Sequence, residues 1–309
     1  MAGSRALRNR IRSTKNIRQM TKAMEAVSAV KMRRSQMLAL NARPYALSAL
    51  SLLRSIQKSA LETGEVSPLM EQREINVRGL VVITSDKGLA GSFNQNVIKR
   101  AEQVIAKSDK KTLLITVGKK GRDYFRRRHA SITQEFLGAG DYGALDETRL
   151  ISDAIIHYFM SRECDEVVIV YTNFLSALKQ EVVVRTLLPF TEHTLNEILA
   201  GIEPLRGKYA NIPASFETAD TSAEELIFEP SPTQALSVIL PQLLAVQVFH
   251  AILEGNASEH SSRMFAMKNA SDSAGELVEK LNIQYNKTRQ AAITKELTEI
   301  TAGKEALSN

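Results

Sequence analysis

Three groups of residues in this chain have types and spacings that chemistry uses. GAGDYG at 138–143 is a literal G-x-G-x-x-G, the pattern that lets a backbone approach a pyrophosphate at a helix N-terminus. SDKGLAGSFN at 85–94 offers glycines, a lysine and a serine in what reads as a first βα turn, where a phosphate loop belongs. The third group is the five histidines (His129, His157, His193, His250 and His260) with the single cysteine, Cys164. These are the residue types of metal sites and nucleophilic catalysis.

Each group falls short of what its chemistry needs. GAGDYG follows a third strand, ITQEFL (132–137), whereas the dinucleotide fingerprint sits in the first βα turn. The acids about 20 residues on, Glu163 and Asp165, precede the next strand and do not stand at its carboxyl end, where a ribose would lie. A plain loop is the better reading. Neither SDKGLAGSFN nor GKKGRD (118–123) has the order G-x-x-x-x-G-K-[ST], so no lysine and hydroxyl stand at the offset that holds phosphate and Mg²⁺ together. An anion site at the first turn stays open on physical grounds. The histidines are not spaced like a metal or triad set, no G-x-S-x-G occurs, and they read as surface or helix-packing residues. One cysteine permits no disulfide within the chain, and Cys164 reads as a small residue packed just before a strand. No catalytic residue, cofactor or metal is therefore expected.

The elements that would position these groups fall into three parts. Between Gly3 and Gly64 there is no glycine and one proline, Pro44, which is expected to bend a helix. Apolar residues recur at Leu7, Ile11, Ile17, Met20, Met24, Val27 and Val30, then at Met37, Leu40, Leu47, Leu50, Leu53 and Ile56. These spacings predict an amphipathic helix. The far end is similar: Leu236, Leu240, Leu243, Val246, Phe249, Leu253, Met264, Met267, Leu277, Leu281 and Tyr285 run past interruptions at Pro241, Gly255 and Gly275 toward a stop at Gly303. About 60 helical residues span on the order of 90 Å, and a greasy stripe of that length needs a partner. Pairing the first helix with the last as an antiparallel coiled coil is the economical solution, with a seam broken by Ala, Ser and Thr.

Residues 75–220 differ. RGLVVIT (78–84), KKTLLITVG (110–118) and DEVVIVYTNF (165–174) alternate with helical stretches at 94–107, 119–128 and 145–162, which predicts βαβ units and a parallel sheet. QEVVVRTLLPF (180–190) follows too soon for a crossover and should pair antiparallel at an edge. The fold class is thus α/β: a Rossmann-like domain at 75–220 inserted between a helix at 1–60 and its partner in 221–309, the two ends projecting together as a rod. Residues 201–232 read as a connecting loop.

Composition is that of a globular chain: 309 residues, 44% hydrophobic, 24% charged, 6% aromatic and no Trp, implying an aliphatic core. No apolar run approaches the roughly 20 residues of a membrane span. The Arg-rich, acid-poor start mimics a mitochondrial presequence, but its pattern continues without change of character, so it reads as mature protein. The net charge of +6 hides an asymmetry, because residues 1–60 hold 13 Lys/Arg and one acid, Glu25. A basic end implies an acidic partner. A nucleic-acid-binding arm is one alternative, although the first aromatic is Tyr45 and none is interleaved to stack bases. A nucleotide-dependent oxidoreductase resting on GAGDYG is another.

IRSTKNIRQMTKAMEAVSAVKMRRSQ (11–36) resembles the N-terminal segment of the gamma subunit of F-type ATP synthases. SDKGLAGSFN resembles that family's first sheet turn. RMFAMKNASDSAGELVEKLNIQYNKTRQAAITKELTEITAG (263–303) is similar to its C-terminal helix. Lys304 departs from the alanine usual there, and the chloroplast-type cysteine-bearing insertion is missing, so redox gating is not expected. The resemblance implies a rotor shaft inside three alpha and three beta subunits. Its α/β foot would meet the epsilon subunit and the membrane c-ring, at the cytoplasmic face of a bacterial plasma membrane. No nucleic acid or small-molecule substrate is implied. By matching positions, Lys22, Met24, Arg34 and Lys87 should lie near the beta subunits, and Arg263, Arg289, Gln290, Thr294, Glu296 and Glu299 should face the same collar. Leu226, Phe228 and Glu229 should approach the c-ring.

Overall fold

The computed structural model describes the backbone of residues 2–63, 67–138, 145–191, 194 and 231–308. Helix α1 runs Ala2–Thr63, continuous through Pro44. It is followed by β1 (Val77–Ile83), α2 (Phe93–Ala106), β2 (Lys111–Val117), α3 (Lys119–Arg127), β3 (Ile132–Phe136), α4 (Leu145–Met160), β4 (Glu166–Phe174), β5 (Gln180–Leu188) and a last helix, α5 (Pro232–Ser308). The chain divides into two compact units. One comprises residues 1–29 with 263–309, the other residues 30–262.

In the larger unit the strands lie in the order β3-β2-β1-β4-β5. β1 pairs parallel with β2 and β4, and β2 pairs parallel with β3. The expected antiparallel edge is β5, joined to β4 by a hairpin closed by mutual backbone bonds between Ser176 and Lys179. Period-two alternation sends each strand's residues to two cores. Val81, Ile83, Ile115, Val117, Ile169 and Tyr171 pack with Ile151, Ile155 and Phe159 of α4 and with Leu236, Leu240, Leu243, Leu244, Val248 and Ile252 of α5. Leu80, Val82, Leu114, Val168 and Val170 pack with Val97 and Ala101 of α2 and Phe125 of α3.

Three expectations about α5 need correction. It is not interrupted at Pro241, Gly255 or Gly275, and it runs through Gly303 to Ser308. A glycine inside a helix costs only about 1 kcal/mol, too little to end one among strong helix formers. Within Gln234–Ala302 it also holds a window apolar enough by length and composition to cross a bilayer, of mean hydropathy 1.9. The sequence reading found no such run. Here the apolar residues of that stretch line the sheet's core, a role that meets the same compositional test.

Polar side chains set the docking of α5 on the hairpin. Ser258 Oγ donates to Thr172 O at 3.3 Å and Ser261 Oγ to Ala177 O at 2.6 Å. Gln180 Nε2 donates to Ser261 Oγ at 3.1 Å, while Ser262 Oγ donates to Gln180 Oε1 at 2.9 Å. Deeper in, Tyr171 lies under the Arg185 guanidinium, 5.5 Å from its ring centroid, and beside Glu254, which has His250 Nδ1 3.7 Å from its carboxylate. Burial, then the Glu254 charge, pushes the Tyr171 phenol well above its ordinary range.

Candidate functional site

Two places qualify as sites: the carboxyl end of the sheet, and the surface of the paired helices in the smaller unit.

At the sheet, the first βα turn is organised around its own side chains. Asn94 Oδ1 accepts from the backbone N of Ser85 at 3.0 Å, and Asn94 Nδ2 donates to Ser85 Oγ at 2.8 Å. Asp86 Oδ1 accepts from Lys119 N at 2.8 Å, at the N-terminus of α3, and Oδ2 accepts from Gly138 N at 3.1 Å. A helix N-terminus is where a phosphate would bind, and here the chain's own carboxylate takes that place. Gly118 adopts φ +94, and a Cβ on it would fall 2.0 Å from Thr84 O. This glycine therefore serves the close approach of β1 and β2 and leaves no cradle. The adjoining cleft, of about 230 Å³, is lined by Asp86 and Glu259 as well as Lys87. Residues 139–143 of GAGDYG and His193 lie outside the described residues.

Cys164 is buried. Burial, reinforced by Asp165 and Glu163, pushes its thiol up to about 12, so little of the reactive thiolate forms near neutral pH. Asp165 acts structurally: its Oδ2 accepts from the backbone N of both Asn76 and Val77 at 2.9 Å. Among the described residues no three His, Cys, Asp or Glu side chains gather as a metal set.

In the smaller unit α1 and α5 pair antiparallel. Leu7 and Ile11 pack with Tyr285, Val278 and Leu281, Arg8 Nη2 donates to Tyr285 OH at 2.8 Å, and Arg18 lies against Gly275. The inward positions step by alternating fours and threes, as in a heptad seam. On α1 these are Leu7, Ile11, Thr14, Arg18, Thr21, Glu25 and Ser28; on α5 they are Met267, Ser271, Ala274, Val278, Leu281 and Tyr285. Past the apolar end the seam is small and polar. Its hydroxyls turn back on their own helix: Thr14 Oγ1 donates to Arg10 O at 2.9 Å, Thr21 Oγ1 to Arg18 O at 3.0 Å and Ser28 Oγ to Met24 O at 2.7 Å. They are satisfied without tying the two helices together.

The apolar stripe read from the sequence is therefore largely not the seam. Ile17, Met20 and Val27 are 52%, 65% and 54% exposed. On α5, Leu277 is 40% exposed while its neighbour Val278 is 6%, so the predicted seam position is displaced by one. Ile283, Ile293, Leu297 and Ile300 also face outward. Two stripes share each helix, and on α1 past Ile11 the outer one carries Ile17, Met20 and Val27. The signal that finds the inner one is its unbroken four-three spacing.

Of the predicted contact residues, Lys22, Arg34, Lys87, Arg289, Gln290, Thr294, Glu296 and Glu299 are exposed, and Met24 is half-buried. Lys22 pairs with Glu25 at 3.1 Å and Glu299 with Lys295 at 3.7 Å. Thr294 Oγ1 donates to Gln290 O at 3.0 Å, so those two share a face. Arg263 differs: it is 6% exposed, covered by its own chain, and its side chain is not presented outward. Leu226, Phe228 and Glu229 lie outside the described residues.

A sequence model of the ATP synthase family matches residues 3–307. The ATP synthase gamma chain of Crocosphaera subtropica is 38% identical over 315 residues, covering 99% of this chain and all of that one. That of Moorella thermoacetica is 37% identical over 307 residues, with the same coverage. Among solved structures, a chain of the Euglena gracilis mitochondrial ATP synthase (OSCP/F1/c-ring) is similar with a TM-score of 0.66 at 19% identity, over 99% of this chain and 95% of that one. A chain of the Tetrahymena thermophila central stalk and c-ring gives 0.60 at 24% identity, over 82% and 99%.

Proposed function

The chain belongs to the ATP synthase family as a gamma chain, the central-stalk rotor, and from that premise we propose how its surfaces are used. The paired helices turn inside a collar of three alpha and three beta subunits. The α/β unit is the foot that meets the epsilon subunit and the c-ring, peripheral to the cytoplasmic face of a bacterial plasma membrane. The chain supplies no catalytic residue and binds no cofactor. Its part is mechanical: each orientation of an asymmetric axle offers a different face to each beta subunit, and only such differential contacts shift a conformational equilibrium.

One observation carries this reading. Ile17, Met20 and Val27 are exposed on the outside of a helix pair whose inner seam turns polar past Ile11. Large apolar side chains left exposed on one helix suit an interaction site, and their position on a coiled pair suits enclosure. Lys22, Met24, Arg34 and Lys87, with Arg289, Gln290, Thr294, Glu296 and Glu299, are the residues proposed to meet the beta subunits. Arg263 is assigned to holding the chain's own structure. Residues 1–60 serve as the first axle helix, 75–220 as the foot and 221–309 as the returning helix. Leu226, Phe228 and Glu229 are proposed for the c-ring. The nucleic-acid alternative finds no support among the relatives.

The test is co-purification. This chain should come down stoichiometrically with a hexameric ATPase; recovery of it alone, in cells that make the hexamer, overturns the reading. Within the assembled complex, Met24→Lys should lower ATP-driven proton pumping while leaving assembly intact, because it sets a new cation at the collar. Unchanged pumping removes Met24 from the contact set.

A further inference from the structure

Gly275 stands inside α5, where glycine is a poorer helix residue than alanine, so its presence calls for a reason. A Cβ at this position would have three nearest neighbours, all in one guanidinium: Cζ of Arg18 at 3.3 Å, Nε at 3.4 Å and Nη2 at 3.6 Å. The glycine is a notch through which Arg18 reaches across the partner helix. Arg18 occupies an inward step of the seam, between Thr14 and Thr21, yet remains exposed.

What Arg18 donates to is the second point. Two cations of α1 on either side of it have partners on the chain: Arg8 donates to Tyr285 and lies 5.7 Å from its ring centroid, and Lys22 pairs with Glu25. The same stretch of α5 carries Asp272, Glu276 and Glu279. Even so, among the described residues no acceptor lies within hydrogen-bond or ion-pair distance of the Arg18 guanidinium. A planar, permanently charged fork thus rests against the notch on an exposed side chain. That is the preorganisation that two-point recognition of a carboxylate uses. Ile17 and Met20, exposed beside it, suit a protein surface as the source of that carboxylate.

We propose that Arg18, positioned by Gly275, takes a carboxylate of the enclosing subunits and so reads the angular position of the axle. This rests on the rotor reading above. The test uses the full chain assembled with the hexameric ATPase, comparing the wild type with Arg18→Gln, Arg18→Lys, Gly275→Ala and the Arg18→Gln/Gly275→Ala double variant. Dissociation from the hexamer is followed at low and high salt, and melting of the free chain is measured in parallel.

Arg18→Gln and Gly275→Ala should each speed dissociation about five-fold at low salt, with the difference shrinking at high salt. Arg18→Lys should recover only part of it, because an ammonium lacks the fork. The double variant should be no faster than Arg18→Gln alone. Free Gly275→Ala should melt no lower than the wild type, since only the tip of a flexible side chain must move. Dissociation of Arg18→Gln at the wild-type rate overturns the proposal, as do fully additive effects. A lower melting point for Gly275→Ala assigns the glycine to helix packing and removes its positioning role. If the wild type itself fails to join the hexamer, the rotor reading falls; if it joins and Arg18→Gln matches it, only this inference falls.

Discussion

The sheet and the helix pair treat apolar residues in opposite ways. In the sheet, Leu80 to Ile83 are all buried, alternating between two cores that the chain's own helices cover. In the helix pair, Ile17, Met20 and Val27 point outward while Thr14 and Ser28 are buried. An apolar pattern thus marks a face destined to be covered, but it does not say by which chain. Where a unit hides its small polar residues and shows its large apolar ones, the missing cover belongs to something else.

That contrast can be broken or sharpened by substitution. The largest effect is expected in the sheet's core. Phe159→Ala, at a fully buried position, should cost about 3–5 kcal/mol and lower the melting point of the larger unit; a loss under about 1 kcal/mol would mean that this core is no better filled than the seam. Next comes the apolar end of the seam. Leu281→Ala should cost about 2 kcal/mol, and amide exchange should quicken along 267–285 while β1 stays protected. Equal quickening in β1 would show that the two units open together.

A smaller effect concerns pH. The backbone amides of Val77 and Asn76 hold the Asp165 carboxyl below its ordinary 3.8. Because the folded value is the lower one, the stabilisation is present above 3.8 and is lost as pH falls through the folded value. Asp165→Asn should cost about 1 kcal/mol at neutral pH and flatten the acid limb of the melting curve. An acid limb identical to the wild type would locate the proton uptake elsewhere. The smallest effect on the free chain is expected on the outer stripe. Ile17→Gln and Val27→Gln should leave its stability within about 0.5 kcal/mol yet weaken binding to the hexamer. A large drop in stability would mean that the chain buries those residues itself.

Much of this was legible from residue order. Short β-branched runs bounded by turn residues located four strands and their sense, and the short gap before Gln180 identified the antiparallel edge. The first long helix followed from the absence of glycine, and both from apolar spacing. Their phase was not legible. Threes and fours describe any stripe on a helix, and past Ile11 the apolar residues of α1 lie on the outer stripe, so it dominates the pattern there. Pro241 and Gly255 look like breaks in isolation, but packing against the sheet outweighs them. The role of Asp86 was also hidden, since its partners, Lys119 and Gly138, lie far along the chain.

The burial of Cys164 has a practical side. With its one native thiol shut away and hard to ionise, the protein offers a blank background for maleimide dyes. A cysteine introduced at Leu178, on the exposed turn between β4 and β5, would be labelled alone, and a fluorophore there would let single turning molecules be watched without first removing anything from the natural sequence.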